Sequence, residues 1–281
     1  MCFPLIDLGH RAAPPLMFAS MRSLIAGLAL ILPMILLNKH AFFNKTVWVY
    51  GLGVSLTYAV MGFGGMFLAD GRVAPGLATV LANTQPLIAA VLAYFFLYER
   101  LLPRNVFGLM LAFGGMALIA APRFMSSSND QEFIGIAFIM LSAIGTGSGN
   151  ILMKKSALSC DPLALTGVQF FLGGIFLYLL SVLFEPQAVI DWHAQFYWTL
   201  IVLAVPGTAL VTVMWLYLLR RVALTKLNVF TFLTPVFGII IGLLYFDEKY
   251  TVIELFGILL TLIGIYLTTS ITRKRVSQRK V

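Results

Sequence analysis

The sequence predicts an all-α integral membrane protein made of two inverted five-helix repeats, a ten-helix fold whose first helix is truncated so that about nine full spans remain. Three observations support this fold class: the composition, the spacing of the apolar runs and an internal repeat. Of the 281 residues, 60% are hydrophobic and only 11% are charged, and the mean hydropathy is +0.96. A soluble domain is about 25% charged, and one of this size could not bury so much apolar surface. Lipid must therefore be the main solvent.

Apolar runs between polar breaks predict nine complete spans, each close to the about 20 residues that a bilayer core requires. The spans lie near residues 15–37, 46–69, 75–98, 104–122, 133–153, 162–184, 196–219, 226–246 and 252–271. Ahead of them, residues 1–8 form an apolar stub that is too short to cross a bilayer. The stub also lacks the basic start and the small-residue cleavage site of a signal peptide.

The basic residues predict how the spans are oriented. When alternate loops are grouped with the C-terminal tail, fourteen of the nineteen lysines and arginines fall on one side and four on the other, with Arg22 inside a span. The positive-inside rule then places the C-terminus in the cytoplasm. The tail 272–281 holds the largest basic block directly after a span, which indicates a juxtamembrane flank rather than a nucleic-acid-binding segment.

The two halves of the chain repeat one another at a nearly constant offset. The pairs that lie 149 residues apart are Arg72 with Arg221, Pro86 with Pro235, Glu99 with Glu248, Gly108 with Gly257 and Gly115 with Gly264. Earlier in each half the offset is 147, as in Pro15 with Pro162 and Gly27 with Gly174. Because each repeat has an odd number of spans, five, its two copies have opposite orientations in the membrane. Such inverted repeats are found in secondary transporters.

The repeat sets the predicted boundaries of the chain. The first repeat covers 1–122, a connecting loop 123–132, the second repeat 133–271 and the basic tail 272–281. A full span precedes Pro162, whereas only fourteen residues precede Pro15. We therefore expect the first helix to lack about a dozen N-terminal residues of a complete span, which an in-frame apolar extension upstream of the start codon would support.

Polar side chains inside spans are costly and mark candidate functional residues. Arg22 is either an anchor for an anionic or carboxylate group or an arginine that snorkels to the interface, and its repeat partner is Gln169. The strongest local pattern is 83–86, where three hydrogen-bonding side chains precede a proline that breaks the helix. Matched breaks in two repeats point to a binding site with hinges at Pro86 and Pro235; a purely structural kink is the alternative.

Other candidates complete the predicted cavity. Asn150 follows three closely spaced glycines that favour tight helix packing. Tyr58 and Trp215 are either aromatic walls of the cavity or ordinary core and lipid-facing residues. The predicted substrate-cavity residues are Arg22, Tyr58, Asn83, Gln85, Asn150, Gln169, Trp215, Asn228 and Thr231. Glu99 and Glu248 end equivalent spans beside basic residues, and we expect them to be packing and orientation elements rather than proton carriers.

No cofactor, metal or catalytic set is predicted. Two cysteines and three scattered histidines give neither a disulfide framework nor metal-ligand spacing. The glycine run 145–149 lies inside a span and follows no strand, so it lacks the context of a phosphate-binding loop. An enzyme is therefore not expected.

The doubled pattern resembles the drug/metabolite transporter superfamily, in its EamA-like branch, over nearly the whole chain. The residues that show the resemblance are Pro15 with Arg22, Pro86 with Glu99 and Arg100, and Pro235 with Glu248 and Lys249, each glutamate being followed by a glycine-spaced helix. The resemblance implies ten helices around a central cavity, cytoplasmic termini and alternating access.

In bacteria the resemblance also implies efflux of amino acids, metabolites or drugs across the inner (plasma) membrane. The expected partners are a small-molecule substrate and the lipid bilayer, with no nucleic acid and with a homodimer left open. The alternative is an inactive or non-transporting membrane protein, because the first helix is incomplete.

Overall fold

The structure, a computed structural model, describes residues 12–36, 40–69, 72–73, 78, 81–99, 101–120, 130–185, 190–233 and 251–269. The helices in these ranges are α1 (Pro15–Leu36), α2 (Lys45–Ala69), α3 (Gln85–Phe96), α4 (Pro103–Ala120), α5 (Asp130–Ser156), α6 (Pro162–Phe184), α7 (Ala194–Arg221), α8 (Leu224–Asn228) and α9 (Val252–Thr269). Within the described ranges, α1, α2, α5, α6 and α7 are long and apolar enough to cross a membrane. The prediction of an all-helical membrane protein is confirmed.

Most predicted spans correspond to helices whose ends differ from the prediction by three residues or fewer. The span predicted at 75–98 is described in part, as α3 and the turn before it. Of the span predicted at 226–246, the described residues form the end of α8 and the 3₁₀ turn Val229–Phe232. The stub 1–8, Pro235, Glu248 and the basic tail lie outside the described residues.

Two of the long helices contain π-helical segments. One is Ser55–Gly64 in α2 and the other is Val205–Leu210 in α7. Pro206 in the second segment has no backbone N–H to donate, whereas the first segment contains no proline. The second segment lies 149 residues after 56–61, so both interruptions fall at the same place in the sequence repeat. Wide turns of this kind occur frequently at functional sites.

The contacts divide the chain into two compact units, the first formed by 1–100 and 120–228 and the second by 101–119 and 229–281. In the first unit α1 packs on α6 through glycines. A β-carbon at Gly27 would lie 2.5 Å from the backbone N of Phe171, and one at Gly174 would lie 2.8 Å from the backbone N of Leu24. Ser20 Oγ donates to the carbonyl of Gly174 at 2.9 Å. Residues with higher numbers in α1 contact residues with lower numbers in α6, so α1 and α6 are antiparallel.

The second unit contains a similar antiparallel contact between α4 and α9. A β-carbon at Gly115 would lie 2.6 Å from the carbonyl O of Gly257 and 2.6 Å from the N of Thr261. One at Gly264 would lie 2.5 Å from the carbonyl O of Gly108. Glycine at these positions lets the two backbones touch, which is how helices associate where lipid surrounds them.

Carboxylates bind helix N-termini in the first unit, where backbone N–H groups lack intrahelical partners. Asp161 Oδ1 accepts from the N–H of Leu163 and Ala164 at the start of α6, at 3.0 and 3.1 Å. Glu185, after the end of α6, accepts from Leu16 and Met17 at the start of α1, at 2.8 and 3.0 Å. These carboxylates fix where α1 and α6 begin.

Cations bind helix C-termini in the same unit, and they do so reciprocally. Lys154, near the end of α5, donates to the carbonyls of Leu219 and Val222 at the end of α7. Arg220, near the end of α7, donates to the carbonyls of Ala157 and Cys160 after α5, at 2.5 and 2.7 Å. Each helix therefore carries a cation that binds carbonyls at or just after the C-terminal end of the other.

Candidate substrate-binding site

Arg22 is buried in the first unit although it carries a permanent charge. Its side chain is 8% exposed, and its Nε donates to Thr208 Oγ1 at 2.7 Å. Thr208 lies in the π-helical segment of α7 and donates in turn to the carbonyl of Leu203 at 2.7 Å. The guanidinium also lies over the ring of Phe63, 5.3 Å from its centroid. The side chain is thus directed into the helices and held in one place.

Aromatic rings extend from this arginine. Phe63 stacks on Phe170 of α6 with centroids 6.1 Å apart and an interplanar angle of 23°. Tyr58 lies 5.6 Å from Phe63, and both belong to the π-helical segment of α2. Tyr58 is predicted from the sequence, whereas neither phenylalanine is. In a chain with 23 phenylalanines, nothing in the sequence distinguishes these two.

Asn150 and Trp215, which the sequence analysis named separately, form a pair. The indole N–H of Trp215 in α7 donates to Oδ1 of Asn150 in α5 at 3.1 Å. The neighbouring Gly149 brings α5 against Tyr58, because a β-carbon at Gly149 would lie 2.7 Å from Tyr58 Cβ. Tyr58 and Trp215 therefore contact adjacent residues of α5, Gly149 and Asn150.

The segment 83–86 breaks the helix as predicted, but the break precedes the proline. Asn83 and Thr84 form a turn in which Thr84 Oγ1 donates to the carbonyl of Leu81 at 2.6 Å. Pro86 occupies the first turn of α3, where a missing N–H costs nothing. The side-chain nitrogen of Gln85 is buried and has no hydrogen-bond partner in the described part of the chain.

The remaining predicted residues that are described lie on α6, on α8, in the 3₁₀ turn after α8 and after α3. Gln169 of α6 is 1% exposed. Asn228 is fully buried at the end of α8, and Thr231 lies in the 3₁₀ turn that belongs to the second unit. Glu99 follows α3 and accepts from the N–H of Leu224 at the start of α8 at 2.7 Å. Pro235 and Glu248 lie outside the described residues.

The described residues contain no group of three or more histidines, cysteines, aspartates and glutamates that could hold a metal ion. The polar atoms of the site belong instead to an arginine, a threonine, an asparagine and two ring systems, all held by helices. Such a set can bind a ligand through hydrogen bonds, charge and ring contacts. It offers no nucleophile paired with a base.

Comparisons with known proteins identify the family. The EamA-like transporter family matches residues 1–121 and again residues 133–270. The uncharacterized transporter YvbV of Bacillus subtilis is 28% identical, with 95% of this chain and 87% of that protein covered. The WAT1-related protein At3g02690 of Arabidopsis thaliana is 32% identical over 72% of this chain and 50% of that protein.

A solved crystal structure shows the same fold. It has a TM-score of 0.78 and 18% identity, and the match covers 95% of this chain and 91% of the solved one. The sequence pattern, the helical structure and these matches agree with one another. The chain therefore belongs to the EamA-like transporter family, within the drug/metabolite transporter superfamily, and not to a family of enzymes.

Proposed function

We propose that the protein is a secondary transporter that exports a small metabolite, amino acid or drug by alternating access. The observation on which the proposal rests is the buried Arg22, which is bound to one π-helical segment through Thr208 and lies over Phe63 of the other. Ionisable residues at membrane depth are rare, and they mark substrate or ion pathways, proton relays, voltage sensors or ligand counter-ions. Interrupted helices near the midplane are where secondary transporters bind their substrates.

Two inverted five-helix repeats, ten helices in all, are part of this proposal. The α1–α6 contact supports them, since Gly27 contacts Phe171 and Gly174 contacts Leu24. Gly174 is the repeat counterpart of Gly27, and Phe171 that of Leu24, both at an offset of 147. The α4–α9 contact shows the same reciprocity with an offset of 149. Antiparallel contacts between equivalent surfaces are what a two-fold axis in the membrane plane produces.

The two repeats would rock about the site to expose it to either side of the membrane. The breaks at 83–84 and in the π-helical segments are candidate flexible points, together with the predicted hinges Pro86 and Pro235. The C-terminus lies in the cytoplasm of a bacterial cell in this proposal, with the protein in the inner membrane, since the basic loops and tail share one side. A homodimer is compatible with the exposed apolar helix faces.

The test is an untargeted metabolite profile of spent medium from cells that express the protein. We expect a compound enriched by the wild-type chain to disappear with Arg22→Gln and with the double variant Asn83→Ala, Gln85→Ala. The matched control is Arg72→Gln, because Arg72 is exposed, donates to the carbonyl of Leu68 one turn before it and lies over the ring of Phe138. Equal enrichment by wild type and Arg22→Gln, at equal amounts in the membrane, would refute the role of Arg22.

A further inference from the structure

We propose that Gln169, Ser55 and Thr166 form a second polar subsite next to the Arg22 site, which binds an uncharged group that both donates and accepts hydrogen bonds. A carboxamide or a hydroxyl group has this chemistry. The substrate class is then a small organic anion with such a group at its other end. The anionic part of the inference rests on the proposed function of Arg22.

The first argument is burial without hydrogen bonds. Gln169 is 1% exposed, and neither its amide nitrogen nor its amide oxygen has a partner in the part of the chain that the structure describes. The hydroxyls of Ser55 and Thr166 are fully buried and equally unpaired. Buried polar atoms without partners are rare in native proteins. Four of them together, two from an amide and two from hydroxyls, match a ligand group with both donors and acceptors.

The second argument is that these side chains share one helix contact. Thr166, Gln169 and Gly173 lie three or four residues apart on one face of α6. This face packs on α2, because a β-carbon at Gly173 would lie 2.5 Å from Ala59 Cβ and 3.7 Å from Ser55 Oγ. A β-carbon at Gly51, one turn before Ser55, would lie 3.7 Å from the backbone N of Gln169.

The third argument is continuity with the arginine. Phe170 directly follows Gln169 and stacks on Phe63, the ring beneath the Arg22 guanidinium. The contacts of α1 with α6 place Arg22 and Gln169 about 5 to 10 Å apart along the helix axes. A molecule with a four-carbon chain is long enough to contact both.

The experiment compares three probes of equal size on the purified full-length protein. Succinamate has a carboxylate and a carboxamide, 4-methylpentanoate replaces the carboxamide with an isopropyl group, and succinamide lacks the charge. Apparent dissociation constants come from the concentration dependence of thermal stabilisation. We expect succinamate to bind at least about tenfold more tightly than either analogue. 4-Methylpentanoate cannot form hydrogen bonds with the buried Gln169 amide, and succinamide has no charge to pair with Arg22.

The variants identify the residues responsible. Gln169→Leu should abolish the preference for succinamate over 4-methylpentanoate, and Ser55→Ala should reduce it. Gln131→Leu, at the exposed start of α5, is the matched control and should retain the preference. Because the Gln169 side chain makes no hydrogen bond with the described residues, unliganded Gln169→Leu should unfold no more easily than wild type. A merely structural Gln169 would instead give a lower unfolding temperature with an unchanged preference.

Transport assays separate this inference from the proposed function. Equal binding of succinamate and 4-methylpentanoate, or no binding of any probe, overturns the subsite. Movement of labelled succinamate into proteoliposomes without a preference over 4-methylpentanoate would support a transporter and overturn the subsite. Binding preference that depends on Gln169, without any movement, would support the subsite while the proposed transport fails.

Discussion

Replacing Glu99 tests how the end of α3 is joined to α8, two elements that are far apart in the chain. Both carboxylate oxygens of Glu99 are used: Oε1 accepts from Leu224 N–H at 2.7 Å, and Oε2 accepts from Thr225 N–H at 3.2 Å and from its hydroxyl at 2.9 Å. The chain reaches this position through Tyr98, whose φ of 54° is left-handed. The geometry makes Glu99 an N-terminal cap supplied from 125 residues away.

The size of the effect follows from the bonds lost. A single capping side chain is worth about 0.5 to 2 kcal/mol, and hydrogen bonds to a charged group are worth about 1.5 to 3 kcal/mol each. With partial solvent exposure of Glu99, Glu99→Ala should cost about 2 to 4 kcal/mol of folding free energy. Glu99→Gln keeps the oxygen that accepts from Leu224 N–H but places an amide NH₂ group opposite the Thr225 N–H. We therefore expect about half of the free-energy loss of Glu99→Ala.

Unfolding of the purified protein in mixed micelles, followed by far-ultraviolet circular dichroism, measures these differences. Glu132→Gln is the matched control, because Glu132 is a half-buried glutamate near the start of α5 that makes no hydrogen bond with described residues. The control should change stability by no more than about 0.5 kcal/mol. If Glu99→Ala and Glu99→Gln both match the control, Glu99 does not stabilise α8 and the reasoning is wrong.

Three further outcomes are expected. Gly27→Ala should destabilise the protein by about 1 to 3 kcal/mol, because its β-carbon would meet the α6 backbone at 2.5 Å; Gly114→Ala, with nothing within 4 Å, should be neutral or stabilising in the same unfolding assay. Lys154→Met should cost about 1 to 3 kcal/mol. Lys155→Met should cost at most about 1 kcal/mol, since among the described residues Lys155 lies over the ring of Phe96 and makes no hydrogen bond; equal losses would contradict the capping role. Burial raises the pKa of Cys160 above its ordinary value, so thiolate is scarce at neutral pH. With the other cysteine replaced by serine, maleimide labelling should be slow at pH 7 and still accelerating above about pH 9; a plateau below that pH would contradict the prediction.

Helix positions could be predicted because their signals are local. An apolar run has to be about as long as a bilayer is thick, and the prediction of 162–184 matches α6 at both ends. The break at 83–86 is also predictable, since proline breaks a helix and the polar side chains before it are costly inside a span. The prediction erred only in placing the interruption at Pro86 itself, which lies within the first turn of α3.

The rest of the site depends on contacts that no local pattern contains. Glu185 binds the start of α1 from 169 residues away, and its sequence neighbours give no sign of the partner. The π-helical segment Ser55–Gly64 has no proline, so a regular helix was the natural prediction. Phe63 and Phe170 become meaningful only once α2 and α6 are packed together.

The basic side chains that α5 and α7 direct at each other's C-terminal ends, Lys154 and Arg220, connect the proposed membrane insertion of the protein with its folding. In the proposed orientation, Lys154 and Arg220 add to the charge bias that orients the spans during insertion. The same two side chains bind carbonyls at or just after the C-terminal ends of each other's helices. A charge-neutralising substitution at either position therefore alters two stages of biogenesis together. Altered insertion and weakened packing must then be separated, for example by methionine, which removes the charge, and by exchange of lysine for arginine, which keeps it and changes the geometry of the donors.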